Sequence, residues 1–184
     1  MIFLTAKYRI DIFEDTSFAS GSSDNVNNYD LIHFDISEYI YPSSYGIKVF
    51  DDNRLLKSAV IGSIGGGTSI YESSIVIEDD QVVICCADTI FCLSIPNLEI
   101  RWRCQGDGAT CFEIFKHNDS YIVHGELEIS RIDKNGNIMW KRSGADIFMT
   151  PEGLNTFSIT DDYILATDWG YRKYKFNFNG ELLD

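Results

Sequence analysis

RIDKNGNIMWKRSG, residues 131–144, sets an Asn-Gly pair between two runs of alternating apolar residues. Asn-Gly is the strongest two-residue hairpin signal, because both central residues of a type I′ turn need positive φ. The stretch has an echo upstream and a shorter one at the end of the chain. In EIRWRC, residues 99–104, Ile100, Trp102 and Arg103 stand 38 positions before Ile138, Trp140 and Lys141. In KFNFNGELLD, residues 175–184, the pair returns as Asn179-Gly180.

The echo extends along the chain. DDQVVICCADTIFCLSIPNLEIRWRCQG, residues 79–106, aligns with NDSYIVHGELEISRIDKNGNIMWKRSG, residues 118–144, so that Asp119 falls on Asp80 and Tyr121 on Val82. DDYILATDWGYRKYKFNFNGELLD, residues 161–184, continues the frame with Tyr163 on Tyr121 and Gly180 on Gly136; the offset grows from 42 to 44, an insertion near Trp169. A fainter copy precedes these, with Ile40, Ile47, Val49 and Leu56 standing 44 residues before Ile84, Phe91, Leu93 and Ile100. Four copies at this spacing mark a repeat protein. Each copy reads as an acidic turn, an apolar strand, a short polar turn, an alternating strand, a hairpin turn and a third strand. The linking segments TSIYESSIVIE, TCFEIFKHN and NTFSITD supply a fourth strand ahead of each acidic turn. Four strands in about 40 residues describe a propeller blade.

The repeat resembles the blades of β-propellers, especially the quinoprotein-like ones, whose strands run into a D-x-x-G-x-ϕ-x-W turn. Asp133, Gly136, Ile138 and Trp140 match that turn, and Ile100 and Trp102 match it in part. The resemblance covers residues from about 31 to 184 and implies an all-β, small β-propeller-like assembly of four repeats, near 31–70, 71–109, 110–148 and 149–184. It carries over no cofactor: the quinone-binding enzymes of that class are much longer, and no cofactor or calcium constellation is found in these residues.

At 184 residues the chain fits a single domain, 1–184, with 45% hydrophobic residues and 22 Phe and Tyr residues (12 and 10), a composition that favours strands over helices. Lys7, Arg9 and Asp11 interrupt the apolar pattern of the first residues, so neither a signal peptide nor a membrane span is expected there, and the expected home is the cytoplasm. Cysteines 85, 86, 92, 104 and 111 form no Cys-x-x-Cys pair and are read as reduced core residues. Fifteen basic against 28 acidic residues give a net charge of −13, which argues against nucleic acid and membrane surfaces as partners and towards a basic protein.

No catalytic or metal-binding set stands out. The glycines of IGSIGGGTSI, residues 61–70, lack the Lys and the helix of a phosphate loop and read as a crowded connection between blades. His124 and Glu126 give the His-x-Glu of zinc deaminases without its cysteine pair, and read as a polar strand end. The insertion TDWGYRK, residues 167–173, places Trp169 and Tyr171 in a loop, and aromatic residues there are candidate partner contacts. The expected function is that of a non-enzymatic intracellular protein-binding domain, similar in type to the small acidic immunity proteins that neutralise a bacterial toxin. The alternative is a small-ligand- or sugar-binding or hydrolytic propeller, for which Glu126 and Asp168 coincide in the frame while Ala87 breaks the series. The last copy runs out at Asp184 with its final strand truncated, so the β-rich Ile2 to Phe13 is expected to pair with the C-terminal copy and close the assembly, residues 1–30 serving as closing strand and polar loop.

Overall fold

The structure, a computed structural model, describes residues 1–34, 43–153 and 156–184. Among them there is no α-helix, and sixteen strands form four sheets. The first sheet contains β1 (Ile2–Leu4), β2 (Arg9–Glu14), β3 (Leu31–His33), β4 (Ser43–Asp51) and β5 (Arg54–Ser63) in the order β1-β2-β4-β5-β3. The second is β6 (Ile75–Glu78), β7 (Gln81–Cys86), β8 (Thr89–Ser94) and β9 (Ile100–Gln105). The third is β10 (Cys111–His117), β11 (Ser120–Gly125), β12 (Glu128–Asp133) and β13 (Ile138–Ser143). The fourth has three strands, β14 (Phe157–Ile159), β15 (Ile164–Thr167) and β16 (Lys173–Phe176). The second and third are antiparallel meanders in chain order, as a blade requires.

The frame holds at residue level in the two middle blades. Trp102 faces Cys92 across β8 and β9, Trp140 faces Arg131 across β12 and β13, and each pairing is followed by a bulge at the same place. The first blade departs from the frame. Ile12 pairs with Ile47 and Ile10 with Val49 just as Ile84 pairs with Phe91 and Val82 with Leu93, so Ile12 occupies the frame position expected of Ile40. Ile40 itself lies outside the described residues.

The N-terminal strand therefore does not close on the C-terminal repeat. β1 and β2 are the first two strands of the first blade, and the closure expected from the sequence is corrected by that pairing. The physical reason is that β4 has a free edge on the side away from β5, and the alternating RIDIFE segment satisfies it while burying Ile10 and Ile12 completely. The last blade completes its edge locally instead: Leu182 bridges Phe176, and the Leu183 N–H donates to the Lys175 carbonyl at 2.7 Å.

Residues 15–34, which follow β2, have their own task. Alternate residues of β4 and β5 point away from the second blade, and there Gly46 lies under the Tyr29 hydroxyl and the Phe13 ring, and Gly62 under the Phe34 ring. Any Cβ at either glycine would come within 3.0 Å of those side chains. Phe18 meets Tyr29 and Phe34 edge-on, at 5.3 and 5.7 Å between ring centres. Asp30 accepts from both the N–H and the hydroxyl of Ser58, and β3 runs parallel to β5 along the sheet edge. Val60, on this outer side, is fully buried. Residues 15–34 thus cover the face on which a further blade would pack, as a terminal cap does in a repeat array.

Adjacent sheets pack face to face. One core cluster joins the first two blades through Ile47, Ile61, Ile84 and Phe91, a second joins blades two and three through Cys85, Ile90, Cys111 and Val123, and a third joins blades three and four through Ile122, Phe148, Ile164 and Phe176. The hairpin turns add a repeated device. The Trp102 ring lies on Gly136 of the next blade and the Trp140 ring on Gly180 of the one after, both glycines having positive φ. The Trp140 indole N–H donates to the Phe178 carbonyl at 3.0 Å, whereas the buried Trp102 indole nitrogen has no partner among the described residues.

Candidate functional site

In an antiparallel four-strand blade the turn between strands two and three and the linker to the next blade fall at one end; the other two turns fall at the opposite end. The first end is where the chain collects its buried carboxylates. Asp107, fully buried, accepts the N–H groups of Ala109 and Thr110 in its own linker and of Leu127 and Glu128 in the neighbouring turn, at 2.7 to 3.0 Å. Asp88 accepts from Ser63 and Gln105 and so ties the first blade to the second. Asp168, fully buried, accepts from the Arg172 N–H and the Tyr174 hydroxyl, both at 2.9 Å; burial opposes its charge, but those donors and the Arg172 guanidinium hold its carboxyl below the usual range. Such carboxylates satisfy backbone donors that the tight turns leave free.

The glycine-rich linker belongs to the same end. A Cβ on Gly65 would strike the Ala109 carbonyl and the Asp88 backbone, and Gly66 donates its N–H to the Ala109 carbonyl at 2.9 Å. The first linker therefore crosses the second with no room for side chains, which is the crowded connection expected from the sequence.

The surface of this end is apolar and acidic. Ile64 and Tyr71 in the first linker, Leu127 in the third blade's turn, and Trp169 and Tyr171 in the fourth blade's turn are all exposed, Trp169 by 46% and Tyr171 by 56%. The structure places the two loop aromatics outside the core. The Trp169 backbone N–H donates to the Ile147 carbonyl, and the Tyr171 hydroxyl donates to the Glu152 carboxylate at 2.8 Å. Tyr171 sits at φ 61, a conformation costing an L-residue roughly 1–2 kcal/mol, and the turn bond from its N–H to the Asp168 carbonyl holds it there. Glu72, Asp146 and Glu152 are exposed around these residues. Of the chain's 15 Lys and Arg residues, Arg172 alone falls in the turns and linkers of this end among the described residues, and its guanidinium stands 3.8 Å from Asp168.

A cleft of about 390 Å³ opens where the first linker, β10 and the third linker converge; Tyr71, Ser73, Phe112, Glu113, His124 and Met149 contribute to its walls. His124 lies at the end of β11, the polar strand end read from the sequence, and is buried there. It is 2% exposed, stacked on Phe157 at 4.7 Å between ring centres, with Nδ1 2.9 Å from Glu113 and Nε2 2.9 Å from the Phe148 carbonyl. The hydrogen bond from His124 holds the Glu113 carboxyl below its usual range, against the opposing effect of burial. Neither Glu126 nor Asp168 lines this cleft. Sequence reasoning missed Glu113 because its partner lies on the next strand, eleven residues away.

All five cysteines are free thiols, and burial pushes them up, Cys92 to about 12 and Cys104 to about 11. Among the described residues no group of three or more His, Cys, Asp or Glu is placed to hold a metal ion, and no helix is long and apolar enough to cross a membrane.

No family model matches the chain, and no curated protein is similar to it. Among solved structures it is similar to BamB from Moraxella catarrhalis, a β-propeller, with a TM-score of 0.53 at 13% identity over 76% of this chain and 45% of that one. It is also similar to the AfRom2 CNH domain, with a TM-score of 0.47 at 17% identity over 77% of this chain and 46% of that one. The chain spans about half the length of these structures. With the four blade-sized sheets, the likeness to BamB shows a β-propeller-like fold.

Proposed function

We propose that the chain is a non-enzymatic, intracellular protein-binding domain, an immunity protein that neutralises a basic bacterial toxin by docking it on the turn-and-linker end of the blades. The observation that carries the reading is the composition of that end: five exposed apolar side chains, Ile64, Tyr71, Leu127, Trp169 and Tyr171, among exposed carboxylates, with Arg172 the one Lys or Arg in its turns and linkers among the described residues. Exposed aromatics on rigid turns are the usual anchors of an interface, and a field of one sign speeds encounter with a partner of the other. A binder of this kind needs a stiff surface and no chemistry of its own.

The test is co-expression with the product of the adjacent gene, followed by affinity measurement on the purified pair. Trp169→Ala with Tyr171→Ala is expected to weaken binding about 30-fold or more, while added salt slows association. No binding and no protection of cells would refute the proposal, as would a complex indifferent to both the double variant and the salt. A second reading, a small-ligand- or sugar-binding propeller, is favoured by the cleft beside Glu113. Retention of an oligosaccharide by the purified domain alone, in the absence of any protein partner, would support that reading instead.

A further inference from the structure

The cleft and the docking surface share Tyr71, which is 58% exposed on the surface and also lines the cleft. A partner seated on the turns therefore presents a side chain to the cleft mouth. The walls bring a carboxylate, Glu113, together with two aromatic residues, Phe112 and Tyr71, and the thioether of Met149, and among the described residues no Lys or Arg lines them. Glu113 remains 29% exposed while bonded to His124, so its carboxylate is held in one place and is still reachable. Phe112 is fixed as well, edge-on to the His124 ring at 5.5 Å.

We infer that the cleft receives an arginine side chain of the partner, with its guanidinium bonded to the Glu113 carboxylate and bordered by Phe112 and Tyr71. This rests on the protein-binding reading above. A guanidinium is planar and weakly hydrated, stacks on aromatic rings and offers paired N–H donors to a carboxylate, so it matches both kinds of wall at once. A purely apolar anchor would leave the Glu113 carboxylate desolvated without a new partner, and an acidic anchor would meet it with like charge. The buried His124 ring keeps the carboxylate in place from behind, so little side-chain freedom is lost on binding.

The test uses the whole chain, labelled with ¹⁵N, titrated with acetyl-Gly-Arg-Gly-amide and with the same peptide carrying neutral citrulline. The arginine peptide is expected to shift the amide signals of Phe112, Glu113 and Met149 with millimolar affinity, and citrulline to bind at least tenfold more weakly. Glu113→Gln should remove that preference. If Glu113→Gln does not fold, Met149→Lys, which places a cation of the chain's own at the cleft wall, should abolish the arginine response. Equal responses to both peptides, or an arginine response unchanged in these variants, overturn the inference. So does a toxin complex that depends on Trp169 and Tyr171 but is untouched by the cleft variants; that outcome leaves the docking proposal standing, whereas loss of all toxin binding with an intact arginine response would leave the cleft assignment standing alone.

Discussion

Replacing Gly180 by Ala tests how successive blades are clamped. Gly180 sits at φ +79, where an L-side chain costs about 1–2 kcal/mol. The added Cβ would also lie 2.7 Å from Cδ2 and 2.9 Å from Cγ of Trp140. Those are the inner atoms of the indole, so the whole ring must move. It is 9% exposed and held by its N–H bond to the Phe178 carbonyl, and moving it adds an overpacking cost of about 1–3 kcal/mol. The expected loss is therefore about 2–5 kcal/mol. Trp140→Ala removes a nearly buried ring and should itself cost about 3–5 kcal/mol. In that background the clash is gone, and Gly180→Ala should cost only the backbone part, about 1–2 kcal/mol. Urea unfolding of the four proteins in the cycle measures the difference as a coupling of about 1–3 kcal/mol. Costs that add within about 0.5 kcal/mol would show that the ring does not rest on Gly180, and the account of the blade clamp would fail.

Asp107→Ala strands four backbone donors at the junction of the second and third blades and should cost about 3–5 kcal/mol in urea unfolding; a loss under 1 kcal/mol would show that water replaces the carboxylate. Tyr29→Ala uncovers the outer face of the first sheet at Gly46, and is expected to speed amide exchange in β4 and β5 and to promote self-association in sedimentation; unchanged exchange would remove the capping role of residues 15–34. Glu113 has its folded pKa lowered by His124, so the stability it contributes is present above the unfolded carboxylate value of about 4.3 and is lost as pH falls through the lower folded value. The gap in unfolding midpoint between the native chain and Glu113→Gln should accordingly shrink between about pH 5 and pH 3, and a constant gap would contradict the hydrogen bond as the cause of the lowered value.

The local features of the fold were legible in the sequence because they are set by local chemistry. Gly136 and Gly180 specify their turns by positive φ, although Asn135 and Asn179 lack it and the turns are therefore not the type I′ expected from the Asn-Gly pairs; the period of alternation specifies strands, and the recurrence of Trp102 and Trp140 at one frame position specifies blades. The crowding of Gly65 and Gly66 and the burial of Cys85, Cys86, Cys92 and Cys111 follow from the same residue-level preferences. What the tertiary structure decided is which edge each strand satisfies and which distant side chains meet. The segment Arg9–Glu14 has no periodic signal that prefers the first blade to the last; its place was settled by the free edge of β4 and by the completeness with which Ile10 and Ile12 are buried there. The polar segment after it reads as a loop, and only in three dimensions do Tyr29 and Phe34 find Gly46 and Gly62, whose missing side chains make the cover possible. Glu113 drew no notice in the sequence and His124 only as part of a His-x-Glu, because a pairing across two strands and a bond to a carbonyl in the following linker depend on register and blade packing, which residue spacing alone does not encode.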